Sequence, residues 1–252
     1  MVDLDKYVKV GFTHVAGIDD AVSDSLVFCD FKGERAKVLI SNTLSGFVVT
    51  YPENKGLVES LGKTGFYSES PRLLFLRLWY RFFPPKVRYM VHPSAVVMGN
   101  VKLGVNVRVG PGSVIGCDGF SQVRDEDGCL VRVPHVGGVR IGDNVEIQSN
   151  CCVSCGTFGD TVVGSGTFVD NLVHIAHNDV IGCGCRIAAG VVFGGSVSVG
   201  DRCFFGVGCM IRDQVCIGSD VFVGMGSVVV GDVPDGVVVL GNPARVVRRN
   251  VL

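Results

Sequence analysis

Two of the five histidines, His174 and His177, lie three residues apart in the segment VDNLVHIAHNDVIG. An imidazole has an unperturbed pKa of about 6.5, so it can accept a proton at neutral pH and act as a general base. Asp170 precedes His177 by seven residues, and its carboxylate would orient the ring if it lay on a neighbouring strand. The pattern therefore indicates proton transfer by His177, although a structural histidine fits the same spacing. His174 points in another direction along the chain and is expected to be structural.

Composition and charge exclude several other classes of function. The sequence carries no phosphate-binding loop, no dinucleotide-binding glycine motif and no serine-nucleophile motif. A net charge of -1 offers no electrostatic footprint for nucleic acid, and no apolar run is long enough to span a membrane. Eleven irregularly spaced cysteines without a signal peptide predict reduced thiols in the cytoplasm. Cys152 and Cys155 lack a second pair, so a zinc site is not expected.

The elements that must position His177 follow a six-residue period. Small or turn-forming residues fill each interval, and Gly often follows the apolar residue directly. A period this short predicts a solenoid in which three hexads close one triangular coil and stacked coils share a continuous aliphatic core. The unbroken series of apolar residues is Val163, Val169, Ile175, Ile181, Ile187, Phe193, Val199, Phe205, Ile211, Ile217, Val223 and Val229.

The same period extends towards the N-terminus with two interruptions. Residues 117–138 form a polar, Gly-rich excursion, and the period slips by four residues around Gly159-Asp160. An excursion from a regular solenoid usually lies on one face, often the binding face. We therefore predict a solenoid over residues 87–232 and a C-terminal cap over residues 233–252. The earlier apolar positions are Val91, Val97, Leu103, Val109, Ile115, Ile141, Ile147 and Val153.

Residues 1–86 lack the period and predict a small α/β domain. Alternation in LVFCDF and KVLI and the apolar run GFVVTY indicate strands, whereas SPRLLFLRLWYRFF has a helical pattern. Pro84 and Pro85 should end that helix. Its recurring arginines are expected to form a solvated face. The domain is a possible nucleotide-binding unit.

These residues resemble a known family. Hexads containing IGDNVEI, DTVVG, VDNLVHIAHN and VGDRCF are similar to the hexapeptide-repeat acyltransferases, whose fold is a mainly β, left-handed parallel β-helix. The DGF of the excursion, the segment from IGDNVEI to NDVIG and the earlier PRLLFLRL more closely resemble the UDP-3-O-acylglucosamine N-acyltransferases of lipid A synthesis. The C-terminal VPDGVVVLGNPARVV resembles coenzyme A-dependent N-acetyltransferases that act on nucleotide-linked sugars.

The resemblance implies a mechanism and a set of site residues. His177 matches the general base, Asp170 the carboxylate that orients it, and Gly195 a glycine whose N–H faces the thioester oxygen. It also implies a homotrimer with active sites between subunits, no permanently bound cofactor and an acyl thioester as co-substrate. The binding residues expected for the sugar nucleotide are Phe28, which matches an aromatic that stacks on uracil, and Asp118, Phe120, Asn171 and Asn178. Those expected for coenzyme A are Gly195, Gly208 and Arg245.

Several of these assignments have alternatives. The excursion with Asp118 and Phe120 either covers the sugar or is a plain solvent loop, and Asn171 either contacts the sugar or fills a corner. Arg245 either approaches coenzyme A phosphates or caps the last coil. His135, in the excursion, could reach substrate but fits a bystander better.

The resemblance leaves two pairs of acyl donor and sugar acceptor open. A family histidine is replaced by Gln214, Phe31 and Glu34 do not match the residues that help hold uridine, and a C-terminal helical extension for acyl carrier protein is missing. The expected reaction is therefore transfer of an acetyl group from acetyl-CoA to the amine of a nucleotide-activated amino sugar. The alternative is the lipid A reaction with a hydroxyacyl carrier protein. A zinc enzyme of the hexapeptide carbonic anhydrase kind and a non-catalytic sugar-nucleotide sensor are weaker alternatives.

Overall fold

The computed structural model describes residues 11–84, 86 and 90–250. The chain divides into two compact units, Met1–Val87 and Arg88–Leu252. Within the described residues, no helix is long and apolar enough to cross a membrane.

The N-terminal unit is a parallel sheet with helices between its strands. The elements are β1 His14–Val15, β2 Ser25–Cys29, α1 Gly33–Asn42, β3 Phe47–Thr50, α2 Lys55–Ser60, β4 Thr64–Tyr67 and α3 Pro71–Phe82. A short 3-10 turn, Pro52–Asn54, precedes α2. The four strands lie in the order β1-β2-β3-β4, and every neighbouring pair is parallel.

One strand predicted for this unit is wrong. The segment KVLI, residues 37–40, lies in α1. Ala36 and Ile40 are both fully buried at a spacing of four, which is the period of one helix face, whereas Val38 is 55% exposed. Four residues were too few to distinguish alternation from a helical face. The predicted end of α3 agrees with its last residue, Phe82, but Pro85 lies outside the described residues.

The second unit is a three-sided solenoid of short parallel strands. Sheet I contains β6 Val101–Leu103, β11 Val139–Ile141, β14 Thr161–Val163, β17 Val180–Ile181, β20 Ser198–Val199 and β23 Cys216–Ile217. Sheet II contains β7 Arg108–Val109, β12 Glu146–Ile147, β15 Phe168–Val169, β18 Arg186–Ile187, β21 Phe204–Phe205, β24 Phe222–Val223, β26 Val237–Gly241 and β27 Ala244–Arg249. Sheet III contains β5 Val96–Val97, β8 Val114–Cys117, β13 Cys152–Ser154, β16 His174–Ile175, β19 Val192–Phe193, β22 Met210–Ile211 and β25 Val228–Val229.

Each regular coil visits sheets I, II and III in turn and takes three hexads, since His174 pairs with Val192 and Phe168 pairs with Arg186. All twelve apolar residues of the unbroken series are buried in one core. Corner residues adopt positive φ, as at Asn144 and Asn178, with φ of 55° and 62°. Asparagine tolerates this conformation better than most side chains do. The six-residue period thus encodes both the core and the corners.

Three segments depart from regular coils. The excursion contains an antiparallel hairpin of β9 Gln122–Arg124 and β10 Leu130–Arg132. The slip is an extra loop, residues 155–160, between β13 and β14. At the C-terminal end β26 pairs with β24, and β27 turns back antiparallel along β26. The excursion and the slip both leave sheet III and return to sheet I, so both lie at the same corner of the solenoid.

Candidate active site

His177 lies at the corner between sheets III and I, directly after β16. Asn178 takes positive φ there, and its backbone N–H donates to Oγ1 of Thr161 over 2.9 Å. Asp179 is fully buried beneath the corner, where its carboxylate accepts the N–H groups of Ala176 and Val197 over 2.7 and 2.8 Å. Burial raises the pKa of Asp179 to about 7, against the effect of these two hydrogen bonds. The corner is therefore held from inside the solenoid.

The excursion covers one side of the His177 ring. Gly119 packs so closely that a Cβ atom on it would lie 2.7 Å from Cδ2 of His177 and 2.6 Å from Nε2 of His135. The rings of His135 and His177 meet edge to face with centroids 5.2 Å apart. The backbone of Phe120 also acts on this ring, because it raises the pKa of His177 against the effect of burial. The excursion, which from the sequence either covers the sugar or is a plain solvent loop, thus builds one wall around the imidazole.

His135 has an unusual polar environment. Its Nδ1 lies 3.1 Å from the carbonyl oxygen of Val133 and donates to it. Within the described chain, its Nε2 is buried without a hydrogen-bond partner. His135 is therefore part of the His177 surroundings, where the sequence favoured a bystander.

Gly195 lies at the same corner one coil further along. Its φ is 104°, and a Cβ atom on it would lie 3.3 Å from both Cε1 and Nε2 of His177. The next residue ties the two corners together, because the N–H of Ser196 donates to the carbonyl of His177 over 2.9 Å. Among the residues that the structure describes, no acceptor pairs with the Gly195 N–H. The structure thus brings His177 and Gly195 together, as the sequence predicted.

A cleft of about 350 Å³ opens in front of these residues. Asp118 and Phe120 contribute to its wall, and Asp118 also forms a 2.7 Å ion pair with Arg132 of the hairpin. His174 lines the same cleft, contrary to the expectation that it faces elsewhere. The other lining residues, which the sequence did not single out for the site, are Cys117, Cys152, Ser154, Ala176, Val192, Phe193 and Gly194.

Burial controls the protonation of the cleft histidines. The pKa of His177 is lowered first by burial and then by His135, with the Phe120 carbonyl opposing the shift. Burial also lowers the pKa of His174, and the neighbouring His177 adds to this effect. Both rings are therefore neutral at pH 7, the state in which an imidazole can take up a proton.

A pair of thiols lines the floor of the cleft. The Sγ atoms of Cys117 and Cys152 lie 3.3 Å apart, and burial together with the Cys117 thiol raises the pKa of Cys152 to about 11. A thiol with a raised pKa is a poor nucleophile at neutral pH. All eleven cysteines are unpaired. Within the described residues, no group of three His, Cys, Asp or Glu side chains could hold a metal ion.

Asp170 does not contact His177 within one chain. It follows β15 in sheet II, whereas His177 follows β16 in sheet III, so the two are not on neighbouring strands as expected. Its Oδ1 accepts from the backbone and side-chain amides of Asn171 over 2.7 and 2.8 Å. Asp170 lines a second cleft, of about 250 Å³, on sheet II with Phe168 and Arg186. An orienting role for Asp170 remains a prediction that requires a second chain.

Two other predicted residues of the second unit, Gly208 and Arg245, do not line the cleft. Gly208 forms a corner between sheets II and III, and Arg245 is exposed on β27. In the N-terminal unit, Phe28 packs against Phe75, and their ring centroids are 4.9 Å apart. The guanidinium carbon of Arg72 lies 5.7 Å from the centroid of the Phe28 ring. Asn178 uses both ends of its amide within the chain, on Thr157 and His177. Asn178 therefore has little hydrogen-bonding capacity left for the predicted contact with substrate.

The stacked coils, their six-residue period and the histidine at a corner define a left-handed parallel β-helix of hexapeptide repeats. This is the fold class that the sequence indicated. The fold of this chain matches that of the solved UDP-N-acetylglucosamine acyltransferase of Francisella novicida. The TM-score is 0.50 and the sequence identity 22%, over 63% of this chain and 69% of the other. That likeness concerns the fold alone.

The sequence is similar to proteins named UDP-3-O-acylglucosamine N-acyltransferase, and the resemblance seen in its motifs is thereby confirmed. It is 51% identical over 162 residues to the protein of Caulobacter vibrioides, which is 64% of this chain and 48% of the relative. It is 52% identical over 150 residues to a protein of Gloeobacter violaceus, 60% of this chain and 43% of the relative. The chain thus matches about half the length of the first relative and less of the second. No protein-family model matches the chain.

Proposed function

We propose that the chain is an acyltransferase that moves an acyl group from a thioester to the amine of a UDP-linked amino sugar. The observation that carries this proposal is the pairing of His177 with Gly195 at one corner of the solenoid, in front of a cleft. A neutral imidazole beside an unpaired backbone N–H provides a base and an oxyanion donor for acyl transfer. The names of the relatives support an amino-sugar acceptor.

In the proposed reaction, His177 takes a proton from the sugar amine as the amine nitrogen attacks the thioester carbonyl. Gly195 donates its N–H to the carbonyl oxygen, on which negative charge develops. When the C–S bond breaks, the proton held by His177 passes to the leaving thiolate. One N–C bond forms and one C–S bond breaks, and the thioester is already activated, so no covalent enzyme intermediate is required.

The relatives reverse the order of the two substrate pairs considered from the sequence. Acetyl-CoA was the expected donor, but the proteins that match this chain are named for an acceptor that already carries a 3-O-acyl group. We therefore favour UDP-3-O-acylglucosamine as the acceptor and a hydroxyacyl group on acyl carrier protein as the donor. Acetyl-CoA with another nucleotide-linked amino sugar becomes the second pair. Gly208 and Arg245 would contact coenzyme A only in the second pair.

Two further parts of the proposal concern partners. Phe28 of the N-terminal unit would stack on uracil, as the resemblance implies. A homotrimer would complete the site, because Asp170 lies on sheet II and reaches His177 only if it comes from a neighbouring copy. Asp118, Phe120 and Asn171 would contact the sugar from the walls of the cleft and its surroundings.

The test is the mass of the sugar product after incubation with each donor. Hydroxyacyl carrier protein with UDP-3-O-acylglucosamine should add one hydroxyacyl group, and the protein in the same sample should have the mass of a trimer in solution. Acetylation of a UDP- or dTDP-linked amino sugar from acetyl-CoA would restore the second pair. If neither donor modifies any of these sugars, the proposed function is wrong. A protein that is a monomer in solution would contradict the proposal that two subunits form the site together.

Gly119→Ala should impair this reaction without unfolding the chain. The new methyl group would overlap Cδ2 of His177 and Nε2 of His135, so the histidine rings and the loop that carries residue 119 must move apart. A displacement of about 1 Å at a catalytic group can cost on the order of 100-fold in rate. The expected result is a drop of that size in kcat, measured by product formation, with far-UV circular dichroism unchanged. Gly231→Ala is the matched control, since a Cβ atom there meets nothing within 4 Å. Equal rates for the two variants would contradict the role of Gly119.

A further inference from the structure

The side chain of Asn178 has only one possible orientation. Its Oδ1 accepts the backbone N–H of Thr157 over 2.8 Å, and its Nδ2 lies 3.2 Å from Oγ1 of the same threonine. A backbone N–H can only donate, so the amide oxygen and not the amide nitrogen must face it. This contact removes the usual ambiguity between the two ends of an asparagine side chain. Thr157 belongs to the extra loop 155–160, which interrupts the six-residue period.

This orientation determines where His177 carries its proton. Nδ2 of Asn178 lies 2.9 Å from Nδ1 of His177. Because an amide nitrogen is a donor only, Nδ1 must be the acceptor and is unprotonated. A neutral imidazole then carries its single proton on Nε2. Asn178 thus fixes the ring as the Nε2–H tautomer.

That tautomer cannot perform the proton transfer of the proposed function at Nε2, because Nε2 already holds a proton. Acceptance of the amine proton there requires the proton to be on Nδ1 instead. If Nδ1 carried the proton while it faced the amide nitrogen of Asn178, two hydrogen-bond donors would face each other and no hydrogen bond could form between them. A 180° rotation of the Asn178 amide would place Oδ1 where it can accept from Nδ1–H of His177. The same rotation would break the hydrogen bond from Thr157 N–H to Oδ1.

We infer that Asn178, held by Thr157, is a positioning residue that fixes His177 as the Nε2–H tautomer, and that its amide must turn over before Nε2 can accept a proton. The inference rests on the proposed function only for its second part. Exchange with water moves the proton from Nε2 to Nδ1 with no net change in charge. Nε2 is then unprotonated and can accept the proton of the amine.

Other titratable groups lie around the ring and must be considered with Asn178. His135 contacts it from the excursion, and His174 shares the cleft from β16. Asp118 lines the cleft but is paired with Arg132, and the carboxylate of Asp179 is engaged by two backbone N–H groups. The thiols of Cys117 and Cys152 complete the set. None of these groups hydrogen-bonds Nδ1 in the described chain, so Asn178 controls that nitrogen.

Asn178→Asp tests the inference. A carboxylate has two acceptor oxygens, so one keeps the Thr157 N–H and the other faces Nδ1 of His177, which must then carry a proton. Imidazole ¹⁵N NMR should show a bare Nδ1 in the wild type and a protonated Nδ1 in the variant. The carboxylate also favours the imidazolium, so the pKa of His177 rises by on the order of one unit. The acid limb of the kcat/KM profile should therefore move to higher pH by that amount.

Asn144→Asp is the matched control, because Asn144 is also a corner asparagine with positive φ, of 55°, and pairs with Asn106 away from the cleft. It should leave the His177 resonances and the pH profile unchanged. A protonated Nδ1 in the wild type would overturn the inference, and so would an Asn178→Asp variant with the wild-type tautomer. The NMR result stands even if no sugar is acylated, so failure of the proposed function is distinguishable from failure of the inference.

Discussion

His177→Ala is expected to lower kcat/KM for acyl transfer by roughly 10²- to 10⁴-fold, the usual contribution of a positioned general base. The variant retains Gly195 and the cleft, so residual activity from binding and oxyanion stabilisation should remain. The ring fills the space between Gly119 and Gly195, and its removal leaves a gap at a half-buried corner while the aliphatic core stays intact. The rate of product formation measured by mass spectrometry checks this expectation.

His92→Ala is the matched control for this experiment. His92 lies in the same unit near the first coil, where its Nδ1 is 2.9 Å from Oγ of Ser94, and it is absent from the wall of the cleft. Its replacement should leave the rate close to that of the wild type, because His92 does not line the cleft. Unchanged activity in His177→Ala would remove the general-base role and favour a non-catalytic sugar-nucleotide sensor.

Phe205→Ala is expected to reduce the free energy of unfolding by about 3–5 kcal/mol. Phe205 is fully buried in the solenoid core and meets Phe193 edge to face, with centroids 5.0 Å apart. Its removal loses both the transfer free energy of the ring and the contacts of the surrounding coils. Because the backbone of each coil is hydrogen-bonded to its neighbours, the cavity can collapse only partly. Urea denaturation followed by circular dichroism measures the change.

Phe158→Ala provides the comparison at constant chemistry. Phe158 lies in the extra loop and is 84% exposed, so its truncation removes little buried surface. The free energy of unfolding should change by about 0.5 kcal/mol or less. Similar losses in the two variants would mean that Phe205 does not pack in the core as the structure has it.

The solenoid could be predicted from the sequence because its two requirements repeat. Every hexad must place an aliphatic residue or a phenylalanine inside and a turn-forming residue at the corner. Twelve consecutive apolar positions meet this condition and are buried. The N-terminal unit offers no such repetition. There the four residues KVLI satisfied both a strand and a helix, and only their packing in α1, with Ile40 buried, decides between them.

The site could be predicted only in part. The repeat and the resemblance to a known family point to His177, and the resemblance alone implies Gly195. The two residues are three hexads apart, which is one coil. The prediction that Asp170 lies beside His177 rests on their spacing of seven residues, which is close to one hexad. One hexad, however, carries the chain from one sheet of the solenoid to the next. The strand that pairs with a given strand comes a full coil, or three hexads, later. Gly119, His135 and Thr157 come from the excursion and the extra loop. No period governs these segments, so their convergence on His177 arises only in the folded chain.

The stacking of the coils has a consequence for how such a protein can diverge. Residues 177 and 195 occupy the same corner on successive coils, so their separation follows the spacing of hydrogen-bonded strands, about 4.8 Å. No substitution on the faces of the solenoid alters that spacing. If the proposed function holds, descendants of this chain could exchange one acyl donor or one sugar for another by changing outward side chains such as Val192 and Phe120. The separation of the proposed base and the proposed oxyanion donor would be inherited unchanged from the backbone.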